Sequence, residues 1–345
     1  MKKISIAGAT GYTGIELLRL LVKHPEVEIV TLTAESHAGK NIAEVAPSLQ
    51  GWVDQTLVKL SPEVAKQCDV LFLALPHTTS MQHVPELMKS DCKIIDLSAD
   101  YRLHDAQVYN DWYKTPHLNP EIIKQAVYGL PELHRDKIKQ AQLVANPGCY
   151  PTSAILALAP LMKESWVDAQ SIIIDSKSGV SGAGRKLSQA TQYCEANESV
   201  SAYGLGEHRH TPEIEQELNQ LSGSEHTVSF SPHLMPMTRG MLTTAYVNLK
   251  KTVTRDALHA LFKKFYKNER FVRVLDAGQY ANTGHVAGSN FCDIGVQVDT
   301  RNQRAIVTSA IDNLMKGASS QAIQNMNLML GIDETMGLDA PPLFP

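Results

Sequence analysis

The sequence predicts an α/β protein that joins a doubly wound parallel sheet domain to a second α+β domain with a mixed, partly antiparallel sheet. In the first third of the chain, short apolar runs alternate with helical patterns, which is typical of parallel βαβ units. A glycine-rich turn follows the first of these runs. After about residue 170 the character changes, and β-rich segments dominate.

In the first half, the apolar runs predict strands over residues 4–7, 27–32, 70–75, 93–97 and 143–145. A helix is predicted over residues 12–23, because apolar side chains recur there at helical spacing. Pro25 follows and ends that helix.

In the second half, the β-rich segments predict strands over residues 171–176, 227–230, 242–249 and 292–298. Residues 298–307 predict a strand, a turn and a further strand. One closing helix is predicted over residues 313–330, and the Pro-rich tail after it should be extended.

Composition excludes several classes of protein. The chain has 345 residues, a length that predicts about two domains. Its 32 basic and 36 acidic residues give a net charge of −4, which argues against a nucleic-acid partner. No apolar run approaches the ~18–20 residues of a membrane span, and the N-terminus lacks a secretory signal. Five scattered cysteines without a C-x-x-C pair predict neither a disulfide framework nor a metal site. We therefore expect a cytoplasmic protein.

The turn Gly8-Ala-Thr-Gly11-Tyr-Thr-Gly14 lies between the first strand and the first helix. Glycines there allow a tight turn and let a pyrophosphate approach the helix N-terminus, where backbone N–H groups favour anions. The spacing is G-x-x-G-x-x-G, and a purely structural turn is the alternative. Its place between strand and helix favours dinucleotide binding in a Rossmann-type domain.

The segment Ala145-Asn-Pro-Gly-Cys149-Tyr-Pro-Thr places a cysteine between a strand and a helix. A helix N-terminus lowers the pKa of a thiol and favours the reactive thiolate. Cys149 is therefore a candidate nucleophile. The alternative is a buried structural cysteine, which is our interpretation of the other four.

The segment Glu207-His-Arg-His-Thr-Pro supplies His208 and His210 just before a helix, with Thr211 as its expected N-cap. A histidine at this place can act as general acid and base. The alternatives are metal ligation, for which no matching carboxylate–histidine set is obvious, and an ordinary surface histidine.

Three further features bear on ligand binding. The glycine-rich loop over residues 178–184 could approach a flat ring such as nicotinamide, or could simply be flexible. Arg102 and Arg239 follow extended stretches, and arginine binds planar oxyanions through paired hydrogen bonds. For each arginine, a surface salt bridge of little energetic value is the alternative.

These blocks, in this order, resemble the N-acetyl-gamma-glutamyl-phosphate reductase family within the semialdehyde dehydrogenases. The resemblance spans nearly the whole chain and rests on GATGYTG, LSADYRL, ANPGCYPT, SKSGVSGAG, EHRHTPEI, PHLMPMTRGMLTT and IDNLMKGASSQAIQN. It implies NADPH-dependent reduction of N-acetyl-glutamyl 5-phosphate to the 5-semialdehyde, with release of phosphate, in arginine biosynthesis. A homodimer or homotetramer is expected.

The resemblance also implies roles for single residues. Cys149 would be the nucleophile that forms a thioester, and His208 the acid/base, with His210 as runner-up. Arg102 and Arg239 would hold the substrate, Arg102 its phosphate. The implied cofactor contacts are Gly8, Thr10, Gly11, Tyr12, Thr13, Gly14, Ser178, Gly179, Gly182 and Asn313.

The implied domains are discontinuous. Residues 1–148 and 313–345 would form the dinucleotide-binding domain, with the last helix packed back onto it, and residues 149–312 the catalytic and oligomerisation domain.

Two positions depart from the family pattern. TAES at residues 33–36 replaces Thr-Ser-Arg-Ser and removes an arginine near the adenosine ribose. We expect Ser36 to bind the 2′-phosphate of NADP and Glu35 to point away. Ser320 replaces a glycine in the last block, which should be tolerated.

Two other functions remain open on the sequence. One is a related acyl-phosphate or semialdehyde reductase acting on aspartyl or aminoadipyl substrates. The other is a non-catalytic NADP(H)-sensing protein, which would need neither Cys149 nor His208.

Overall fold

The protein is described by a computed structural model that covers residues 1–164 and 166–344. The chain forms two compact units. Unit 1 comprises Met1–Gly148 and Ala318–Ala340, and unit 2 comprises Cys149–Gly317 with the C-terminal residues from Pro341. Residues 313–317 thus lie in unit 2, whereas the sequence placed them in the dinucleotide-binding domain.

Unit 1 contains a parallel sheet. Its strands are β1 (Lys2–Ala7), β2 (Val27–Thr33), β3 (Val70–Leu73), β4 (Lys93–Asp96), β5 (Val127–Tyr128) and β6 (Leu143–Ala145). Their order across the sheet is β2-β1-β3-β4-β6-β5, and every described ladder is parallel. The predicted doubly wound sheet is confirmed, although β3 ends at Leu73 rather than at residue 75.

Helices connect these strands. They are α1 (Tyr12–Leu21), α2 (Ile42–Val45), α3 (Pro62–Lys66), α4 (Ser80–Leu87), α5 (Ala106–Tyr113), α6 (Pro120–Ile123) and α7 (Pro131–Gln140), with a 3-10 turn over Pro47–Leu49. β3 is buried along its whole length, as expected for a parallel sheet with both faces covered.

Unit 2 contains a mixed sheet with helices. Its elements are α8 (Cys149–Met162), β7 (Val167–Gly179), α9 (Tyr193–Ala196), β8 (Ser201–Ala202), α10 (Thr211–Ser222), β9 (Ser229–Met235), β10 (Met241–Leu249), α11 (Arg255–Phe265), β11 (Val272–Val274), β12 (Cys292–Asp299) and β13 (Arg304–Ile311), with 3-10 turns over Val180–Ala183, Gln189–Thr191 and Thr283–His285. The sheet order is β11-β12-β13-β10-β7-β9-β8. β10 pairs antiparallel with β7 and β13, while β7 pairs parallel with β9. The predicted mixed, partly antiparallel sheet is confirmed.

Helix α8 forms the centre of unit 2. Beyond Cys149, every residue of α8 is buried, which is typical of a helix that is apolar on all sides. Its polar Ser153 Oγ lies 2.9 Å from Thr243 Oγ1 on β10 and 3.0 Å from Ser309 Oγ on β13. These hydrogen bonds fix the helix against the sheet and thereby fix the direction in which its first residue points.

The predicted single helix over residues 313–330 is wrong at its start. A π-helical turn occupies Met315–Ser319, and the α-helix proper, α12, spans Ser320–Leu330. The Asp312 carboxylate accepts the N–H groups of Leu314 and Met315, and the Asp312 carbonyl accepts the Gly317 N–H at 3.1 Å. These bonds draw the backbone into a wider turn before α12 begins.

Helix α12 belongs to unit 1, where it packs against α7. Its Asn325 Nδ2 donates to the Gly129 carbonyl at 2.8 Å. Within the two described ranges, no helix is both long and apolar enough to cross a bilayer.

Candidate active site

Three glycines shape the turn after β1, and each does so differently. Gly8 has a φ of +78°, and a Cβ there would collide with the Ala74 carbonyl oxygen. A Cβ on Gly14 would collide with the Gly8 carbonyl and lie 2.7 Å from Ala9 Cα. At Gly11, the N-cap of α1, the nearest atom to an added Cβ is 3.6 Å away. Gly8 therefore lets the turn approach the residue after β3, and Gly14 lets α1 pack against the turn itself, while Gly11 leaves open space for a ligand.

The turn lies at the switch point of the sheet. The strand that precedes it, β1, lies between β2 and β3, so the connections that follow place strands on opposite sides of β1. Ligands of doubly wound sheets bind at this place, outside the carboxyl ends of the strands. Thr10 lies in the turn, and Tyr12 and Thr13 open α1. The Gly8 and Ala9 N–H groups donate to the Thr33 carbonyl at 3.1 and 3.0 Å, which joins the turn to the end of β2. The residues present fit a dinucleotide pyrophosphate.

The end of β2 carries the residues expected near the adenosine ribose. Ser36 Oγ lies 3.1 Å from His37 Nδ1, and both residues are on the surface or close to it. The Glu35 carboxylate lies 3.3 Å from Lys59 Nζ, with both side chains largely exposed. Glu35 is thus directed to a neighbouring cation.

Lys59 was not found from the sequence. It reaches Glu35 because the Ala34 N–H donates to the Val58 carbonyl at 3.0 Å, which lays the segment before α3 beside the end of β2. A lysine 24 positions from its partner gives no local signal in the sequence.

Arg102 lies in unit 1, after β4, and is only 4% exposed. Its Nε donates to the Asn146 carbonyl at 2.8 Å and its Nη2 to the Leu97 carbonyl at 2.7 Å. The alternative of a surface salt bridge is excluded by this burial. Arg102 fixes the loop that leads into Cys149, because Asn146 lies three residues before the cysteine.

Cys149 is the first residue of α8 and is partly exposed. Gly317 lies directly against it, since a Cβ on Gly317 would be 2.8 Å from Cys149 Cβ. A helix of this length, 14 residues, directs the positive end of its dipole at its first residue. The structure therefore places the thiol where a thiolate is stabilised.

Tyr150 links the cysteine to the histidines. The Tyr150 ring packs edge-to-face on His208 at 5.5 Å and on His210 at 5.9 Å between ring centroids. Its hydroxyl donates to the His233 carbonyl at 3.2 Å and accepts from the Tyr203 hydroxyl at 3.0 Å. Burial, followed by the neighbouring Tyr203, raises the pKa of Tyr150, so the phenol stays neutral and keeps this cluster in place.

His208 is a neutral imidazole in this environment. Burial, with a smaller effect of the Arg209 charge, lowers its pKa to about 4. The backbone N–H of His210 donates to His208 Nδ1 at 3.1 Å. The proton of the neutral His208 ring is therefore on Nε2. His208 therefore presents an N–H donor. The expected Thr211 N-cap is wrong, because α10 begins at Thr211 and its N-cap is His210.

The loop over residues 178–184 lies beside the segment that carries Arg239. Gly179 and Ser181 N–H groups bond to the Gly240 and Thr238 carbonyls at 2.9 and 3.2 Å. A Cβ on Gly179 would lie 2.7 Å from the Thr238 carbonyl oxygen, so this approach requires glycine. Ser178 is buried at the end of β7, and a Cβ on Gly182 would lie 3.0 Å from Ser178 Oγ. The loop is held by hydrogen bonds, contrary to the flexible alternative.

Asn313 joins the same loops. Its Oδ1 accepts the Gly240 N–H at 2.8 Å, and its Nδ2 donates to Ser181 Oγ at 2.9 Å. One residue earlier, the buried Asp312 carboxylate lies 3.4 Å from Arg239 Nη1. Arg239 is therefore oriented by a buried anion while its side chain remains 34% exposed.

Within unit 2 the fold gathers Cys149, His208, Ser178, Gly179, Gly182, Asn313 and Arg239 from distant parts of the chain. It adds residues that sequence reasoning missed: Tyr150, Tyr203, Asp312 and Gly317. Tyr150, Asp312 and Gly317 do lie within blocks that carried the resemblance, but nothing local indicated their contacts. In the part of the chain that the structure describes, no group of three or more His, Cys, Asp or Glu is placed to hold a metal ion.

Two protein families match this chain, one for each half. Residues 3–141 match "Semialdehyde dehydrogenase, NAD binding domain" and residues 149–313 match "Semialdehyde dehydrogenase, dimerisation domain".

Curated relatives are similar over their whole length. An N-acetyl-gamma-glutamyl-phosphate reductase from Geobacter sp. (strain M21) is 55% identical over 347 residues, covering 100% of both chains. A reductase of the same name from Desulforamulus reducens is 55% identical over 346 residues, again covering 100% of both.

Solved structures share the fold at low identity. Aspartate semialdehyde dehydrogenase II from Vibrio cholerae, complexed with ASA, aligns with a TM-score of 0.72 at 16% identity, covering 96% of this chain and 98% of the other. The enzyme from Candida albicans, solved with NADP, aligns with a TM-score of 0.69 at 17% identity, covering 96% and 99%. At this identity the likeness shows the fold alone.

Proposed function

The chain belongs to the N-acetyl-gamma-glutamyl-phosphate reductase family, and we therefore propose that it reduces N-acetyl-glutamyl 5-phosphate to the 5-semialdehyde, with release of phosphate. It is an NADP-dependent oxidoreductase of arginine biosynthesis. The expectations of family, reaction and cofactor drawn from the sequence are confirmed. The roles of single residues remain proposals.

One observation carries the mechanism: Cys149 begins a fixed, fully packed helix, next to a tyrosine whose ring contacts His208. A nucleophile beside an acid/base and at a helix N-terminus suits acyl transfer. A protein that only senses NADP(H) needs neither group.

In this mechanism the Cys149 thiolate attacks the carbonyl carbon of the acyl phosphate. The C–O bond to phosphate breaks after a tetrahedral oxyanion has formed, and a thioester remains. Backbone N–H groups at the start of α8 are suitable donors to that oxyanion. A thioester accepts hydride more readily than a carboxylate, which explains the need for a cysteine.

His208 supplies a hydrogen bond and then a proton. Its Nε2–H donates to the oxygen of the reacting carbonyl, where negative charge develops. An anion bound beside the ring raises the pKa of His208 from its low value in the free protein, so that Nδ1 takes up a proton from solvent in place of the hydrogen bond from the His210 backbone N–H, and Nε2 gives its proton to the oxyanion. The neutral ring takes that proton back as the C–S bond breaks, so that the aldehyde departs and the Cys149 thiolate re-forms.

NADPH, when bound, supplies the hydride. Gly8, Gly11 and Gly14, with Thr10, Tyr12 and Thr13, would hold its pyrophosphate at the start of α1. Ser178, Gly179 and Gly182 would lie against its nicotinamide. Asn313 would act as a positioning residue for that loop, because its amide bonds to Gly240 and Ser181.

An assay in the reverse direction tests the substrate. N-acetyl-glutamate 5-semialdehyde should give NADPH only when NADP and inorganic phosphate are both present. Aspartate and aminoadipate semialdehydes serve as matched alternatives, and faster turnover of either would reassign the enzyme. If none of the three semialdehydes gave phosphate-dependent turnover, the proposed reaction would be excluded, and a non-catalytic NADP(H)-sensing protein would be the remaining alternative.

We expect Arg239→Ala and Arg102→Ala to differ. Arg239 is partly exposed beside Asp312, so its loss should raise the KM for substrate roughly ten- to a hundredfold, as for a charge-assisted hydrogen bond. The melting temperature should fall as well, because the buried Asp312 carboxylate loses its cation. Arg102→Ala should weaken the apparent affinity for phosphate. It should also lower the melting temperature, because the buried Asn146 carbonyl and the partly buried Leu97 carbonyl lose their donor. Steady-state kinetics and calorimetry measure both. If Arg102→Ala changes stability alone, its role is structural.

For the cofactor we expect a preference for NADPH, with Ser36 binding the 2′-phosphate. Lys59 offsets the charge of Glu35, which at close range would oppose the phosphate by about 1 to 4 kcal/mol. Lys59→Met should narrow the preference, and Glu35→Arg should widen it by about tenfold. The measurement is kcat/KM for NADPH and NADH.

Lys66→Met is the matched control for this prediction. Lys66 is also exposed and pairs with a glutamate, at 3.7 Å, but it lies in α3 and should not affect the ratio. Parity between NADPH and NADH in the wild type would contradict the prediction.

We further propose a cytoplasmic homodimer or homotetramer. The match of residues 149–313 to a dimerisation domain supports self-association, and reductive biosynthesis with NADPH supports the location. Light scattering on the purified chain measures the mass, and a monomer at micromolar concentration would contradict the oligomer.

A further inference from the structure

Two thiols that the reaction does not use lie together in unit 1. Cys68 follows α3, Cys92 precedes β4, and their sulfur atoms are 3.5 Å apart. The Cys68 side chain also donates to the Val64 carbonyl at 3.3 Å, and the Cys92 sulfur lies 3.4 Å from the Lys93 carbonyl oxygen. Each sulfur is thereby held facing the other.

The backbone around the pair suits a disulfide. The Lys93 N–H donates to the Asp69 carbonyl at 2.9 Å, so the residues just before β3 and β4 are paired as neighbouring strands. The parallel register pairs Val70 with Lys93, which places Cys92 opposite Asp69 and makes Cys68 its diagonal neighbour. With neighbouring strands about 4.8 Å apart and a rise of about 3.3 Å per residue, this diagonal corresponds to a Cα separation of about 6 Å, within the range that disulfides span. The two sulfur atoms have to approach from 3.5 Å to the ~2.05 Å of a disulfide bond.

The pair is reachable from solvent. Cys68 and Cys92 both line a surface cavity of about 410 Å³, whose rim carries the charged side chains of Lys2, Lys66, Asp69, Asp91 and Lys93. A molecule the size of a peroxide fits such a cavity. Both thiols are themselves buried, and this cavity beside them is the route by which a small oxidant reaches them from solvent.

We propose that Cys68 and Cys92 form an oxidation site, at which a peroxide converts the two thiols reversibly to a disulfide. The Cys68 thiolate attacks one peroxide oxygen, the O–O bond breaks, and the departing hydroxide takes a proton to leave as water. The Cys92 sulfur then attacks the Cys68 sulfenic acid and loses its proton, and the S–O bond breaks to release a second water. Two electrons pass from the thiols to the peroxide, and a dithiol reductant returns them.

The order of the two cysteines follows from their contact. The hydrogen bond from Cys92 lowers the pKa of Cys68, and the same bond raises the pKa of Cys92. Cys68 is also the more exposed of the two, at 9% against 3%. Cys68 is therefore the first to react and Cys92 resolves the intermediate.

Peptide mapping of the full chain tests the proposal. After treatment with hydrogen peroxide and trypsin without reductant, peptide 67–89 should be linked to peptide 90–93. Dithiothreitol should release the link. Oxidation detected at Cys149 or at the exposed Cys194 without this link would overturn the proposal.

Thermal unfolding gives an independent measurement. The bond would close a loop of about 25 residues, which should raise the melting temperature of the oxidised protein by roughly 5–10 °C. Cys68→Ser and Cys92→Ser should abolish the rise, whereas Cys194→Ser should retain it. A rise that persists in Cys68→Ser or in Cys92→Ser would overturn the proposal. The mapping stands even if a serine variant fails to fold.

Discussion

Cys149→Ala is expected to abolish reduction, with a fall in kcat on the order of 10⁴–10⁶-fold, as for the loss of a nucleophile that acts together with its acid/base partner. Without the sulfur no thioester forms, and hydride has only the acyl phosphate itself to attack. The binding of NADPH should stay within a few-fold, because Cys149 lies in unit 2 and the proposed pyrophosphate contacts lie in unit 1. Single-turnover kinetics and fluorescence titration of NADPH measure the two effects.

Cys194→Ala is the control for this variant, since Cys194 is exposed and lies outside the cluster around Tyr150. Iodoacetamide should label Cys149 faster than Cys194 near neutral pH, because the start of α8 favours the thiolate. Substantial turnover by Cys149→Ala would exclude the covalent mechanism. Faster labelling of Cys194 would remove the argument from the helix dipole.

His208→Asn is expected to lower kcat by ~10²–10⁴-fold, the usual contribution of general acid–base catalysis. His210→Asn is the matched control, because the hydrogen bond to His208 Nδ1 comes from the backbone of residue 210 and survives the change. A larger fall in kcat with His210→Asn than with His208→Asn would make His210 the acid/base and would leave His208 only a packing role against Tyr150.

The pH dependence follows from the same histidine. With its pKa lowered to about 4, His208 in the free enzyme does not titrate between pH 6 and 8. The pH profile of kcat/KM should therefore show no change due to His208 between these two pH values. The folded protein binds fewer protons at His208 than the unfolded chain does, so stability should fall as the pH drops from about 6.5 toward 4. His208→Asn should reduce that slope in denaturant titrations. An unchanged slope would show that His208 is not desolvated.

Much of this protein was predictable because its signals are local. The turn after β1 needs glycine at positions 8 and 14, since a side chain there would strike atoms a few residues away or on the adjacent strand. Cys149 is recognisable because a strand, a turn and an apolar helical run surround it within a dozen residues. The alternation of elements then fixed the parallel sheet, whose connections have few solutions.

The closing helix shows where local signals fail. Residues 313–319 have a helical pattern, yet the Asp312 carboxylate and carbonyl bind the following N–H groups and widen the turn. Gly317 must also pass within contact distance of Cys149, 168 positions earlier in the chain. Propensity is a weak determinant, and tertiary contacts override it.

By itself, the sequence determined the fold class and the family, and it singled out the cysteine and the histidines that we propose for the chemistry, because each of these signals depends on residues close together in the chain. Only the tertiary structure decided the state of those groups. The pKa of His208 and the position of its proton depend on burial and on one backbone N–H. Arg239 is oriented by Asp312, 73 positions away, and Lys59 meets Glu35 through a bridge between separate segments. Desolvation and ion pairing depend on which atoms lie within a few ångströms, and folding alone brings those atoms together.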